Sequence, residues 1–406
     1  MKKRDQKMVN NLARRDFLRL CAIYGTTAAL GGVLATAATA GEKELKQQIS
    51  IQAEQEAKKA AVAKHTMILA VDGVGNRWPD GVVCTSTMWN IGAWKLKTNI
   101  ENHSKGAIYV KIVEGGALGG QVKAARKVQQ GILQACTAST QNMAAFAPVW
   151  NVTDIPYAIG PVENYWKLLY SKEVNDSLRK KSMEQGVMNL ATFPQTRWLE
   201  LKMGLSNEIR FPEQLKGMKI RVTGSKLEQA IFDILPSSPT PIAWGEVYTA
   251  MKEGAIDGIH VGPASVADAG IHEVVGQLVN TEFMYNADTV WVNTRWFKKL
   301  SAVLQEAVLE ASYQTQLFIE GIYEPLHAMQ AGLRPNSPSD AIWKKAGTKQ
   351  VILTATERTA WYDYLSYENN KDRFDPMVKR FGKTEFEIVQ QVAQAGDVER
   401  QRWWKS

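Results

Sequence analysis

The run Lys219-Ile220-Arg221-Val222 puts one guanidinium inside a short β-branched stretch. A strand-borne arginine that faces inward needs an anion beside it, because an unpaired buried charge is very costly. Its planar fork suits a carboxylate, which it holds through two parallel hydrogen bonds. Arg221 is therefore a candidate carboxylate clamp, and its partner is either a small ligand or an acidic residue of the chain. Other polar and aromatic residues stand at expected strand ends or cross-overs: Asn76 and Trp78 after the first strand, and Phe193, Trp198 and Tyr285 farther on. Ligands of open α/β sheets bind beyond the ends of the strands, which makes these five candidate cleft residues.

Catalytic patterns are absent. The chain has no Gly-x-Ser-x-Gly elbow, no His-Glu-x-x-His and no Cys-x-x-Cys, and histidines 65, 103, 260, 272 and 327 have no metal-ligand spacing. Glu246 suits the start of a helix through the macrodipole, and Asp257 lies at a turn, so neither needs an acid–base role. The reading is a binding protein, with no enzyme activity and no cofactor.

The elements that would position these residues alternate between strand and helix. Strands are expected over 66–71, 107–113, 133–137, 187–192 and 289–293, with helices over 85–103, 121–130 and 161–185 between them. That alternation predicts parallel α/β units. Asp72-Gly-Val-Gly-Asn-Arg-Trp78 follows the first strand but has Trp78 where a dinucleotide loop needs its third glycine. Asn151–Pro156 reads as a loop. Ser301 is a good N-cap for a long helix carrying Leu304, Val308, Ala311 and Thr315, and the chain from Pro338 onward reads as helical.

Residues 1–40 read as a targeting segment. A basic start leads to Arg14-Arg15-Asp-Phe-Leu, close to the twin-arginine export pattern. A short apolar region follows, then Ala38-Thr39-Ala40 as a cleavage site, with Ala35-Thr36-Ala37 as second choice. Cys21 lies too close to the arginine pair for lipidation. Seven Lys/Arg against two Asp give this segment +5, which leaves about +3 of the chain's +8 for the remainder. A remainder of that charge carries no nucleic-acid footprint. Residues 41–65 are rich in Ala, Glu, Gln and Lys with a thin apolar stripe, and predict an exposed helical arm, either solvated or a route to a dimer. In an oxidising compartment Cys84 and Cys136 either form one disulfide or stay as two buried thiols.

From about residue 66 to 335 the chain resembles the periplasmic solute-binding subunits of TRAP (tripartite ATP-independent periplasmic) transporters, the DctP-like family. The resemblance rests on Gly115–Gln121, Asp154-Ile-Pro156, Leu215–Val222, Trp244–Met251 and Ala255–Gly258, in that order. It implies an α/β, two-lobed periplasmic binding protein fold with cross-over strands and a long helix spanning both lobes. Mapped here, lobe I takes 66–191 and 287–325; lobe II takes 192–286 and 326–406 with the C-terminal helices. It also implies an organic acid ligand, periplasmic location, and one small and one large integral membrane subunit as partners.

Residue by residue, Arg221 matches the family's carboxylate clamp. Arg197 lies near a second arginine of sialic-acid-type members, the alternative being a surface salt bridge. Trp244 stands where the family often has a cleft-lining Phe, the alternative being core packing. Gln121 replaces a common acidic residue and would avoid repelling an anion. His260 stands where 2-oxo-acid-binding members carry a metal-binding carboxylate, which argues against a metal; it is either a ligand donor or a structural histidine. No Asn follows Asp257-Gly258, which argues against sialic acid. The same fold could instead present its ligand to a receptor as a sensor.

Overall fold

A computed structural model describes residues 53–73, 88–396 and 400–405. Residues 1–40, read from sequence as a targeting segment, lie outside the described residues, as do Asn76, Trp78 and Cys84 and any pairing of Cys84 with Cys136. Cys136 is itself buried, and burial pushes its thiol pKa up.

Two mixed sheets organise the chain. The first has the order β2-β1-β3-β10-β4. β1 (His65–Ala70) and β2 (Ile108–Val113) pair in parallel over six residues, and β3 (Ala135–Ser139) joins the other side of β1. Helix α1 covers 53–62, α2 covers Met88–His103 and α3 covers Gln121–Gln130, where the sequence predicts it. Gly131 ends α3 in the left-handed conformation and returns its N–H to the carbonyls of Lys127 and Val128. α1 is mostly exposed, as expected for the arm, but it is pinned. Glu56 pairs with the buried Lys97 at 2.7 Å, and Lys59 with Glu101 at 3.1 Å.

β4 (Val187–Thr196) and β10 (Tyr285–Asn293) close this sheet as an antiparallel pair. β4 continues four residues past its expected end. Only Arg197 separates it from β5 (Trp198–Lys202), which belongs to the second sheet. The chain therefore changes lobe at a single residue. It returns over 280–284, from β9 (Val275–Val279) into β10. The two crossings hydrogen-bond to each other: Arg197 N–H donates to Met284 O and Glu282 N–H to Arg197 O.

The second sheet has the order β11-β9-β5-β8-β6-β7. β6 (Lys219–Val222) lies between β8 (Gly258–Val261) and β7 (Ser238–Pro241), parallel to both. Two prolines in β7 restrict it to an edge, where the missing N–H costs nothing. The C-terminal region also holds a three-residue strand, β11 (Lys349–Val351), that the helical expectation omits.

The expected loop at 151–156 is mostly a 3-10 turn, Pro148–Asp154, and α4 (Val162–Tyr170) follows it. In the second lobe, α5 (Lys226–Ile234) connects β6 to β7, while α6 (Val247–Lys252) and α7 (Pro263–Asp268) flank β8. α8 (Ala302–Pro325) is capped by Ser301, packs on α2 and β4, and continues through a π turn, Leu326–Ala331, onto α7. This is the long helix spanning both lobes.

α9 (Ala355–Leu365) packs on the second lobe, against α5 and the Pro212–Leu215 turn. α10 (Lys371–Phe381) and α11 (Lys383–Gln394) then return to the first lobe, against α4 and the Pro148–Asp154 turn. The expectation that all C-terminal helices go with lobe II therefore needs correction for these two. Buried Phe374, Phe386 and Val389 complete the first lobe's core, which takes their apolar surface out of water.

Candidate functional site

Register across the second sheet sets Arg221 beside Ile259 of β8, and Ile259 opposite Glu200 of β5. The three side chains share one face. Arg221 is only 4% exposed. Its Nε donates to Ile242 O at 2.8 Å, and its guanidinium carbon lies 5.8 Å from the centre of the half-buried Trp244 ring. Among the described residues it makes no ion pair, and its terminal nitrogens have no acceptor. Burial pushes its pKa down to about 10, so it stays charged at neutral pH. On the same face Glu200 accepts from Val261 N–H at 3.1 Å through one oxygen, and its other oxygen is buried without a partner. Burial raises its pKa well above the usual carboxylate value, against the Val261 N–H bond and the Arg197 charge, which lower it.

Arg197 takes a different role. Its Nη2 lies 2.7 Å from Glu228 Oε1 in a fully buried ion pair. The other oxygen of Glu228 accepts from both the N–H and the hydroxyl of Thr223. Burial works against ionised Glu228, but Arg197, Arg221 and the Thr223 bonds outweigh it and hold the carboxyl below its usual range. Of the two alternatives for Arg197, the pairing is present, in the interior rather than at the surface.

Glu228 is the residue that sequence reasoning missed. Its signal was the Ser225-x-x-Glu228 spacing of a capping box directly after a strand. Ser225 does cap α5 by accepting from Glu228 N–H, but the carboxylate reaches past the cap to Thr223.

Asp154 brings the first lobe into this electrostatic group. It accepts from Thr140 Oγ1, Gln141 Nε2 and Asn151 Nδ2 at 2.7–2.9 Å. Burial pushes its pKa up to about 7; Thr140, Asn151 and Arg197 oppose that rise, whereas Glu228 adds to it. Gln195 stitches the crossing strand to both sides, donating to Asp288 Oδ2 and to Ser265 Oγ of α7, each at 2.9 Å. Gly262 lets α7 come this close, since a Cβ there would sit 2.1 Å from Gln195 Oε1.

The remaining candidates separate into bracket and core. Gln121 donates to Asp72 Oδ2 at 3.1 Å and accepts from Ser139 N–H and Asn142 Nδ2, tying the ends of β1 and β3 to the start of α3. Tyr285 donates its hydroxyl to Gly160 O and meets Tyr165 edge-on at 5.4 Å. Trp198 is buried and donates to Glu282 Oε1 at 3.2 Å.

Phe193 is not at a strand end. The extended β4 places it mid-strand, against Gly92 of α2, in the first lobe's core. His260 lies in the core of the second lobe. Its ring stacks on Phe283 at 4.0 Å and its Nε2 meets Thr281 Oγ1 at 3.1 Å. Burial, helped by the Arg197 charge, pushes its pKa well down and keeps it neutral. Among the described residues no group of three or more His, Cys, Asp or Glu is placed to hold a metal ion. Nor is any helix among them long and apolar enough to cross a membrane.

Residues 81–366 match the family model for DctP, "Bacterial extracellular solute-binding protein, family 7". The chain is 26% identical over 281 residues to the 2,3-diketo-L-gulonate-binding periplasmic protein of Escherichia coli, covering 68% of this chain and 80% of that protein. It is 25% identical over 306 residues to the C4-dicarboxylate-binding periplasmic protein of Rhodobacter capsulatus, covering 74% and 86%. Among solved structures, a TRAP periplasmic solute-binding protein of Sulfitobacter sp. NAS-14.1 with bound β-D-galacturonate superposes with a TM-score of 0.68 at 19% identity, covering 81% of this chain and all of that one. One from Polaromonas sp. JS666 bound to D-erythronate gives 0.69 at 18%, covering 82% and all of that chain. At these identities the structural likeness speaks for the two-lobed fold.

Proposed function

The chain belongs to the DctP family of bacterial extracellular solute-binding proteins, and from that membership we propose that it captures a small organic carboxylate between its lobes, with Arg221 as the clamp, and delivers it to the membrane subunits of a TRAP transporter. The observation that carries this reading is Arg221 itself. It is buried and charged, its Nε is tied to Ile242 O, and among the described residues its terminal nitrogens have no acceptor. A bidentate carboxylate is the partner such a fork fits. Trp244 beside it supplies an aromatic face for the body of the ligand. Relatives support the ligand class: one is named for a diketo sugar acid, another for C4-dicarboxylates. Export by the twin-arginine route, with residues 1–40 removed afterwards, would bring residues 41–406 to the periplasm.

Titration calorimetry of the purified protein against organic acids tests the clamp. Arg221→Ala should weaken binding by roughly 2–5 kcal/mol, the cost of losing a desolvated charge-assisted contact. Unchanged affinity in the variant sinks the assignment. Delivery is tested separately, by whether genes for one small and one large integral membrane subunit lie beside the gene for this chain and whether uptake of the bound acid needs them. If uptake of the bound acid survives deletion of those two, the transporter role fails.

A further inference from the structure

We propose that helix α1 guards the open edge of the first sheet: it holds a polar stripe of α2 over β2, and once it is withdrawn that edge pairs with β2 of a second copy of this chain.

Of the four sheet edges among the described residues, three are blunted by other means. β7 carries two prolines and β11 has only three residues. β4 lies under α8, with Thr192 N–H donating to Gln316 Oε1 and Ser312 Oγ to Leu190 O. β2 differs. Its six residues, Ile-Tyr-Val-Lys-Ile-Val, include no proline and one charge, and the other five are β-branched or aromatic. Such a segment on an edge is a ready template for another strand.

The Ala107 and Val113 carbonyls turn inward, accepting from His65 and Val71 N–H, so the alternate residues Ile108, Val110 and Ile112 turn their backbone groups outward. Side chains meet them there. Ser104 Oγ accepts from Ile108 N–H at 3.1 Å, Glu101 Oε1 accepts from Val110 N–H at 3.2 Å, and Lys97 Nζ donates to Val110 O at 2.7 Å. The spacing of these three residues, four and then three, puts them on one helical face. α1 fixes the two charged ones from outside. Glu56 takes Lys97 at 2.7 Å, and Lys59 takes the second oxygen of Glu101 at 3.1 Å. Within 53–62 only Glu56 is half-buried and every other residue is exposed. Ionic contacts rather than core packing therefore keep α1 on the body, and a helix held so opens at lower cost than the core helix α2. With the edge bare, a two-fold axis at Val110 pairs two copies antiparallel. Val110 then exchanges both bonds with its counterpart, Ile108 faces Ile112, and Lys111 faces Tyr109, so no like charges meet.

The test removes the guard and leaves the edge. Glu56→Ala/Lys59→Ala in the full chain takes both contacts off α1 without altering α2 or β2. In dilute solution its Val110 amide should exchange with deuterium roughly tenfold faster than in the native chain, read by NMR. Light scattering after size exclusion should show the native chain as a monomer and the variant passing from monomer to dimer over a concentration series. Adding Ile112→Lys places a charge against Ile108 of the other copy, and should restore the monomer while the fast exchange stays. The native chain supplies a measurement that needs no variant. Raised salt should speed Val110 exchange roughly threefold relative to Ile108, whose N–H is held by the uncharged Ser104. Equal salt responses of the two amides overturn the guard, as does a native dimer. A guard variant that stays monomeric, keeps native Val110 exchange, or dimerises in spite of Ile112→Lys overturns it as well.

Discussion

Nη2 of Arg197 lies 2.7 Å from Oε1 of Glu228, and the first of these residues is the only one separating the strand of one lobe from the strand of the other. The pair therefore ties the crossing point of the chain to the first turn of α5, directly after the strand that carries Arg221. Removing one partner leaves a buried charge alone, which costs about 3–5 kcal/mol. Glu228→Ala should lose that much in urea unfolding. The double variant Arg197→Met/Glu228→Leu should recover most of it, short of the penalty for leaving Thr223 N–H unsatisfied. Equal losses in the single and double variants would show that the charges are not what matters.

Arg221→Lys keeps the charge but loses the planar fork and the Nε bond to Ile242 O. Affinity for a bound carboxylate should fall by about 1–3 kcal/mol in calorimetry, since the two side chains are not interchangeable at a bidentate site. Trp244→Leu keeps an apolar surface and removes the ring face beside the guanidinium, and should cost about 0.5–2 kcal/mol. A lysine variant with native affinity would mean that a point charge is enough.

Gly92→Ala lies in the middle of α2, where alanine ordinarily stabilises by about 1 kcal/mol. Here the added Cβ would sit 2.2 Å from the Phe193 ring. Overpacking of that kind costs about 1–3 kcal/mol, so the sign of the usual effect reverses. Gly92→Ala combined with Phe193→Leu should regain stability relative to Gly92→Ala alone. Denaturant midpoints that rise for the single variant would contradict the packing.

His327 is buried in the π turn that follows α8 and donates from Nδ1 to Tyr323 O. Burial pushes its pKa down to about 4. A depressed histidine pKa means that the unfolded chain takes up the proton first. Its contribution is thus full above about pH 6.5 and is lost as pH falls toward 4, roughly 2 kcal/mol by pH 5. Asp154 and Glu200, whose pKa values are raised, act in the opposite direction over part of this range. The difference between native protein and His327→Gln isolates the histidine: the variant should lose about 2 kcal/mol less between pH 7.5 and pH 5. Identical losses would rule out the assignment.

Local patterns were legible where the chemistry is local. α3 and the Ser301 cap lie where periodicity and capping residues predict them, and Arg221 is recognisable as a charge in a strand that wants a partner. Legibility ended where the determining contact is distant. From Val187 to Lys202 the chain gives no sign that it changes sheet at Arg197, because an extended backbone continues on both sides of the junction. Phe193 was misplaced for that reason. Glu228 lies 31 residues from Arg197, and nothing in either local sequence couples them. β7, with two prolines, forms a strand only because β6 offers it an edge.

The last crossing of the chain bears on its biosynthesis. After α9 on the second lobe, the connection at 366–370 is held by Asn369 and Asn370, whose side chains donate to the Asp363, Tyr364 and Ser366 carbonyls, and residues 371–394 then complete the first lobe. The lobe that is begun by β1 near residue 65 lacks part of its core until Phe374, Phe386 and Val389 have been added. A ribosome-bound chain can pair the early strands but cannot seal the domain they belong to. Neither lobe is a continuous piece of the polypeptide, and the first is incomplete until translation has passed α11.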